Sequence, residues 1–148
     1  MISEKGSWKE TVIGLQNAVQ SQIYVSTNTT LSKHNAADFL TTIDYIKGLG
    51  VDAFGCNSLI YSGKAPSASE EFALSTEDLK TLLPQIRDKA HMIGLKFLWY
   101  TPTQYCHFDP VQLGLGVKTC TAAMINACVG PNGDVYPCQS YFESLGNI

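Results

Sequence analysis

The stretch that decides the fold lies at residues 25–57 and reads VSTNTTLSKHNAADFLTTIDYIKGLGVDAFGCN. It links the end of a first predicted strand, residues 22–27, to a helix and then to a second strand, residues 51–57. Apolar residues in the helix recur at the three- and four-residue spacing of one helix face, and two glycines mark its end. We expect Asn35 to cap its amino end. This order indicates parallel strands joined by a helical crossover.

The flanking sequence extends the same alternation in both directions. An S-x-x-E pattern at Ser7 predicts a capping box for a helix over residues 8–20. Ser75 and Asp78 predict a second capping pair, for a helix that runs to residue 92 and is followed by a strand at residues 95–100. The apolar character of the strands favours parallel pairing, so the predicted fold class is α/β.

Two segments depart from this alternation of helices and strands. Residues 59–74 form a long Gly-, Ser-, Ala- and Pro-rich loop, which is typical of a lid or binding loop. Near the end of the chain, residues 123–129 and 134–137 flank the turn sequence GPNG and predict a β-hairpin. We therefore place a domain boundary near residue 105, which divides the chain into residues 1–105 and 106–148.

Charge and hydropathy exclude two classes of partner. The 148 residues include 10 Lys and Arg against 13 Asp and Glu, a formal charge of -3, so no basic surface is available for nucleic acid. The sequence has neither the apolar run of a membrane span nor that of a signal peptide. We expect a cytoplasmic protein that does not bind membranes.

Polar residues follow each predicted strand. In parallel α/β folds the reacting groups gather at the carboxyl ends of the strands, because the following loops converge there. The alternative is that these residues only terminate strands and satisfy turn backbone. The predicted strand-tip residues are Thr27, Asn28, Thr29, Cys56, Asn57, Ser58, Tyr100, Thr101 and Thr103.

Five cysteines, in a chain without an export signal, favour reduced thiols or metal ligands over a disulfide framework. Cys120 and Cys138 bracket the hairpin, which can bring them to one metal centre. Cys106, beside His107, is either a ligand or nucleophile or an ordinary loop thiol. Cys56 fits a core position, and the exposure of Cys128 depends on which strand face packs.

The spacing of two of these cysteines resembles a known pattern. The pattern Cys-x12-Gly-x4-Cys, formed by Cys120, Gly133 and Cys138, resembles the opening of the SPASM and twitch auxiliary-cluster domains of radical S-adenosylmethionine (SAM) enzymes. The segments PNGDVYPCQ and LGNI are also similar to those domains. The stretch GSWKETVIGLQNAV and the stretch quoted above are similar to part of the radical SAM barrel. The resemblance implies a piece of a (β/α)6 partial barrel at residues 1–105 and a truncated auxiliary-cluster segment at residues 106–148.

The resemblance also implies chemistry. Cys120 and Cys138 would be ligands of an auxiliary [4Fe–4S] cluster, and Asn28, Asn57 and Thr101 would contact SAM. The parent enzyme would cleave SAM to a 5′-deoxyadenosyl radical. Its substrate would be a small molecule or a peptide: the resemblance leaves open peptides, sulfatases, molybdopterin precursors and the tetrapyrroles of haem biosynthesis.

The Cys-x3-Cys-x2-Cys motif of the family is absent from this chain. We therefore expect a fragment that lacks sequence on both sides and is inactive when isolated. A barrel interrupted at an internal strand would expose an edge near residues 22–27, so we expect self-association there.

Two other functions are compatible with the same residues. One is a zinc or iron module that uses Cys106, His107, Cys120 and Cys138, which are donors suited to such metals. The sequence has no Cys-x-x-Cys pair, which makes a zinc knuckle less favoured. The other is an α/β interaction domain in which all five cysteines are passive.

Overall fold

The computed structural model describes residues 6–62 and 70–148. The helices and strands divide into an amino-terminal α/β part and a carboxyl-terminal β part. Their bounds, in chain order, are α1 Ser7–Gln20, β1 Ser26–Thr30, α2 Phe39–Gly48, β2 Ala53–Asn57, α3 Thr76–Met92, β3 Lys96–Trp99, β4 Cys128–Val129, β5 Asp134–Tyr136 and β6 Gly146–Asn147.

Strands β1, β2 and β3 form a parallel sheet in that order. The register places Ser26 beside Ala53, and Ala53 beside Lys96. Helices connect the successive strands, as parallel pairing requires. The α/β class with parallel strands is thus confirmed. The described strands make an open sheet and do not close into a barrel.

The core lies on one face of this sheet. Phe54, Cys56 and Trp99 point to that face and are almost fully buried, because alternate residues of a strand share a face. They pack with apolar residues of α2 and α3, including Ile43 and Leu83. Full burial of one such large side chain contributes about 1.5–3 kcal/mol.

The opposite face carries different residues. In β1 the exposed side chains are Ser26, Asn28 and Thr30, and in β3 the corresponding row begins with exposed Lys96. The apolar residues of all three helices, such as Leu15, Ile43 and Leu83, pack in the single cluster on the other face. The described residues thus cover the parallel sheet with helices on one face only.

The position predicted for the first strand was wrong. The strand begins at Ser26 and runs through the polar residues expected to follow it, whereas Ile23 and Tyr24 before it are exposed. Gln22 has a φ of 61°, which interrupts extended structure after α1. Pairing with β2 decided the strand's location and overrode the β propensity of the apolar residues. The exposed edge accordingly lies at residues 26–30.

Two of the three predicted caps were also wrong. Helix α1 starts after Gly6, which is left-handed and provides no side-chain cap, and Ser7 lies inside the helix. Helix α2 starts at Phe39, four residues after Asn35. The Asn35 amide instead accepts a bond from the Ser32 N–H (2.8 Å) and donates to the Thr30 carbonyl (2.9 Å), which orders the turn before the helix.

The predicted capping box of α3 is confirmed. The Ser75 hydroxyl accepts from the Asp78 N–H at 3.1 Å, and the Asp78 carboxylate accepts from the Ser75 N–H at 2.9 Å. The Ser75 side-chain hydrogen bond lowers the pKa of Asp78. Pro84 lies inside α3, and the helix ends at Met92, as expected. Part of the predicted loop that precedes α3, residues 63–69, lies outside the described residues.

The carboxyl-terminal part forms a second, antiparallel sheet in the order β4, β5, β6. The predicted hairpin is present but shorter, and β6 was not predicted. At its turn the Gly133 N–H donates to the Gly130 carbonyl at 3.0 Å. Gly133 has a φ of 86°, and a β-carbon there would lie 2.9 Å from the Ile148 carbonyl oxygen, so glycine is required.

A carboxylate organises this turn. Asp134 accepts hydrogen bonds from the side-chain amides of Asn132 (2.6 Å) and Asn147 (3.0 Å) and from the Tyr136 hydroxyl (3.3 Å). The Asn147 bond, followed by that of Asn132, lowers the pKa of Asp134. This carboxylate thus connects β6 to the hairpin. Within residues 6–62 and 70–148, every helix is too short or too polar to cross a membrane.

Candidate functional site

The predicted tip residues Asn28, Asn57 and Thr101 line one cavity of about 320 Å³, which we call the strand-tip pocket. Asn28 comes from β1, Asn57 ends β2, and Thr101 follows β3. Tyr61 and Tyr100 supply apolar walls. The structure therefore brings the three predicted cofactor-binding residues together, although Asn28 lies in the middle of β1 and not after its end as predicted.

Hydrogen bonds join these residues into a network centred on Asn57. The Asn28 amide donates to the Asn57 side-chain oxygen at 2.9 Å. The Asn57 amide donates to the Thr30 hydroxyl at 3.0 Å and to the Ser58 carbonyl at 2.8 Å. Both amide hydrogens of Asn57 are therefore used inside the protein, and its side chain, only 6% exposed, holds the strand ends in place.

Thr101 and Asn28 differ from Asn57 in what they offer to a ligand. The Thr101 hydroxyl accepts from the Ser58 N–H at 2.7 Å and lies 3.2 Å from the Ser58 hydroxyl. Asn28 is exposed and gives only one of its two amide hydrogens to Asn57. Asn28 is the better placed of the three to bind a molecule in the pocket, and Asn57 orients it.

Sequence reasoning missed Gly55, which shapes the same pocket. A β-carbon at Gly55 would lie 2.1 Å from Cε2 of Tyr100, so the tyrosine ring rests directly on the backbone of β2. A glycine in the interior of a buried strand is itself the signal, because it marks a close approach of another group. The glycine therefore sets the position of one wall of the pocket.

Cys120 and Cys138, the predicted cluster ligands, line a second cavity of about 650 Å³, which we call the cysteine cavity. Cys128 lines it too, although sequence reasoning left it unassigned. Tyr100 and Pro102 contribute to the walls of both this cavity and the strand-tip pocket. The two cavities are therefore neighbours, separated by the residues that follow β3.

Cys106, the third predicted metal ligand, does not line the cysteine cavity. It is exposed. Its neighbour His107 faces a different cavity, of about 450 Å³, with Trp99 and Thr101. The four residues of the zinc or iron hypothesis are therefore not gathered at one place.

The thiols of the cysteine cavity suit a thiophilic group. The cavity is lined by cysteines without any carboxylate or histidine, a donor set that selects soft metals and iron–sulfur clusters. The Ser140 N–H lies 3.4 Å from the Cys138 sulfur, and such amide bonds stabilise a thiolate ligand. Across the described parts of the chain, no three Cys, His, Asp or Glu side chains lie close enough together to hold a metal ion.

Cys56 is a core residue, as predicted. Its side chain is fully buried on the helix-covered face of β2. Burial raises the pKa of its thiol because an apolar environment disfavours the thiolate. This cysteine is therefore an apolar packing group and does not reach the strand-tip pocket.

Comparison of the chain with protein-family models, with curated proteins and with solved structures gave no match.

Proposed function

We propose that this chain is part of a radical SAM enzyme, in which the parallel sheet contributes to the SAM-binding barrel and Cys120 and Cys138 contribute to an auxiliary [4Fe–4S] site. The observation that carries the proposal is the common wall of the two cavities: Tyr100 and Pro102 line both the strand-tip pocket and the cavity of the two motif cysteines. A ligand at the strand tips would therefore lie beside a metal centre held by the thiols.

The one-sided helix cover of the sheet supports the same proposal. All-parallel sheets are normally covered on both faces or closed into barrels with a filled interior. Here the face with Ser26, Asn28 and Lys96 has no described helix over it, and these polar side chains lie beside buried Ala53 and half-buried Leu98. A barrel interior, with the reacting groups at the carboxyl ends of its strands, accounts for such a face.

Each residue would have a limited role. An auxiliary cluster supplies one-electron chemistry at thiolate-bound iron when it is bound. Cys120 and Cys138 would provide thiolate ligands, and the Ser140 N–H would hold the Cys138 sulfur in place. Asn28 and Thr101 would bind and orient SAM, while Asn57 fixes the Asn28 amide. Tyr100 would exclude water between the two cavities.

The substrate in this proposal is a small molecule or a peptide, with tetrapyrroles of haem biosynthesis among the candidates, and the location is cytoplasmic. The radical-generating Cys-x3-Cys-x2-Cys motif would be supplied outside this sequence, so the isolated chain would be inactive. Sequencing the gene that encodes the chain tests this. A Cys-x3-Cys-x2-Cys motif is expected upstream in the same reading frame, and a complete reading frame without it would refute the radical SAM assignment.

Self-association of the isolated chain follows from the same proposal. Strand β1 is an edge of the parallel sheet, and its outer side offers backbone N–H and carbonyl groups that another strand can pair with. Light scattering of the purified chain should show dimers or larger species that dissociate on dilution. A Ser26→Pro substitution on this strand should reduce the dimer fraction, because the Ser26 N–H faces away from β2 and proline removes that donor. A monodisperse monomer at all concentrations would contradict self-association.

A further inference from the structure

Three cysteines line the cysteine cavity, whereas the Cys-x12-Gly-x4-Cys pattern contains only two, Cys120 and Cys138. Cys128 lies on its lining together with Cys120 and Cys138. Cys128 and Cys138 also line a smaller adjoining cavity of about 310 Å³ beside Phe142. The half-buried thiols Cys128 and Cys138 thus share two cavities, whereas Cys106 is exposed and lines neither of them.

The end of the hairpin explains why these two thiols are neighbours. Cys128 of β4 pairs with Tyr136, the last residue of β5, and Cys138 follows two residues later, where it forms an isolated bridge with Tyr141. The Ala123 N–H donates to the Pro137 carbonyl at 3.0 Å, which holds the residue before Cys138 against the segment that leads to Cys128. Two thiolates bound to one tetrahedral metal, at about 2.3 Å each, lie about 3.8 Å apart. A shared metal would therefore require the two side chains to turn toward each other.

Cys120 reaches the cavity from a segment that can adjust. Residues 116–121 have no regular secondary structure, and Cys120 is exposed. Moving this sulfur toward the hairpin breaks no helix or strand. In the described residues the three thiols are not close enough together to hold a metal ion, so metal binding would require Cys120 to move toward the hairpin.

We propose that Cys128 is a third thiolate donor, with Cys120 and Cys138, to a thiophilic metal centre in the cysteine cavity. The inference rests on the proposed auxiliary site but assigns a donor that the motif spacing does not contain. All three donors come from residues 120–138, so this segment supplies most of a tetrahedral coordination shell by itself. Each thiol loses its proton to solvent as its metal–sulfur bond forms, so binding weakens as pH falls.

Cadmium titration of the reduced 148-residue chain under anaerobic conditions tests the inference, with sulfur-to-cadmium charge-transfer absorbance as the readout. The unmodified chain should bind one cadmium ion. Cys128→Ser should remove about a third of the absorbance and weaken binding by about tenfold or more, as loss of one of three thiolates requires. The matched control, Cys106→Ser, replaces an exposed cysteine outside the cavity and should change neither quantity.

The outcomes separate this inference from the auxiliary-site proposal. If Cys120→Ser and Cys138→Ser lower the absorbance but Cys128→Ser retains full amplitude and affinity, the third donor is refuted and the two-cysteine site remains. If none of the three variants differs from the unmodified chain, both proposals fail. Loss of signal in all three but not in Cys106→Ser supports the inference.

A measurement without substitutions covers the case in which Cys128→Ser does not fold. The unmodified chain is alkylated with iodoacetamide with and without cadmium, and each cysteine is quantified by mass spectrometry. Cadmium should protect Cys120, Cys128 and Cys138, with Cys106 still modified at its original rate. Unchanged alkylation of Cys128 in the presence of saturating cadmium would overturn the assignment.

Discussion

The chain has two regions that are stabilised in different ways: the sheet region, residues 6–62 and 70–104, and the cysteine region, residues 105–148. The sheet region contains every buried member of the hydrophobic cluster, from Val25 to Trp99, and the cysteine region adds only the partly buried Phe108 and Leu115. In the cysteine region Pro110 alone is buried, and its strands are only two or three residues long. One region is held by apolar packing and the other by turns and hydrogen bonds, which alone give marginal stability.

The proposed metal centre would stabilise the less packed of the two regions. Metal binding to a site that is incomplete without it adds its free energy to folding. Four of the five cysteines lie in the weakly packed region, and the fifth, Cys56, lies in the core. Thiols are therefore concentrated where apolar burial contributes least to stability.

The largest expected difference between the regions is in thiol reactivity. With a disulfide reagent under native conditions, the exposed thiols Cys106 and Cys120 should react quickly. Cys56 should react about 100-fold or more slowly, because it must be exposed by unfolding and its raised pKa reduces the thiolate fraction. Mass spectrometry of time points gives the individual rates. In denaturant all five should react alike, and fast native labelling of Cys56 would contradict the packed core.

A pair of phenylalanine substitutions compares packing directly. Phe54 is fully buried and stacks on Phe97 at 5.1 Å, whereas Phe142 in the cysteine region is 68% exposed. Phe54→Ala should lower the free energy of unfolding by about 3–5 kcal/mol, and Phe142→Ala should change it by about 0.5 kcal/mol or less. Urea unfolding followed by circular dichroism measures both. Equal losses of unfolding free energy in the two variants would contradict the difference in packing between the two regions.

Gly55→Ala tests the wall between the two cavities. The added methyl group collides with the Tyr100 ring, so we expect a loss of about 1–3 kcal/mol from overpacking. Tyr100→Ala should remove the collision, so the double variant should be more stable than the two single losses predict. If the loss of unfolding free energy in the double variant equals the sum of the two single losses, the Tyr100 ring does not rest on Gly55.

The smallest effect concerns the turn of the cysteine region at low pH. Because hydrogen bonds lower the pKa of Asp134 in the folded chain, its contribution is complete above the unfolded pKa of about 3.9 and is lost as pH falls through the lower folded value. The Asn147 side-chain amide signals in NMR spectra should therefore shift at acidic pH. Asp134→Asn should abolish that shift. The control Asp38→Asn, in the sheet region, should retain it.

The sequence predicted the parts of the fold that repeat a pattern. Helical periodicity located α1, α2 and α3, and the Ser75–Asp78 box was recognisable because its two members are close in sequence. The start of β1 was missed because pairing with β2, which involves residues about 27 positions away, decided it. Strand β6 was missed because two exposed residues carry no periodicity.

The candidate site, like the fold, could be predicted only in part from the sequence. Asn57 and Thr101 were predictable as neighbours, since parallel strands end at one edge, whereas Asn28 lies in the middle of β1 and reaches Asn57 through its side chain. The hydrogen bonds that distinguish Asn57 as a support from Asn28 as a binding group depend on side-chain positions that no local pattern encodes. Cys128 was ambiguous because two strand faces were equally open to it, and only the structure shows that it lines the same two cavities as Cys138.

Trp99 gives the sheet region an intrinsic fluorescence signal. It is 1% exposed, and its indole N–H lies 3.2 Å from the Thr103 hydroxyl, whereas Trp8, the other tryptophan, is 63% exposed. Blue-shifted fluorescence from Trp99 therefore reports on the core and on the segment that leads toward the cysteines. The cysteine region contains no tryptophan, so metal-induced ordering there would be spectroscopically separable from unfolding of the sheet.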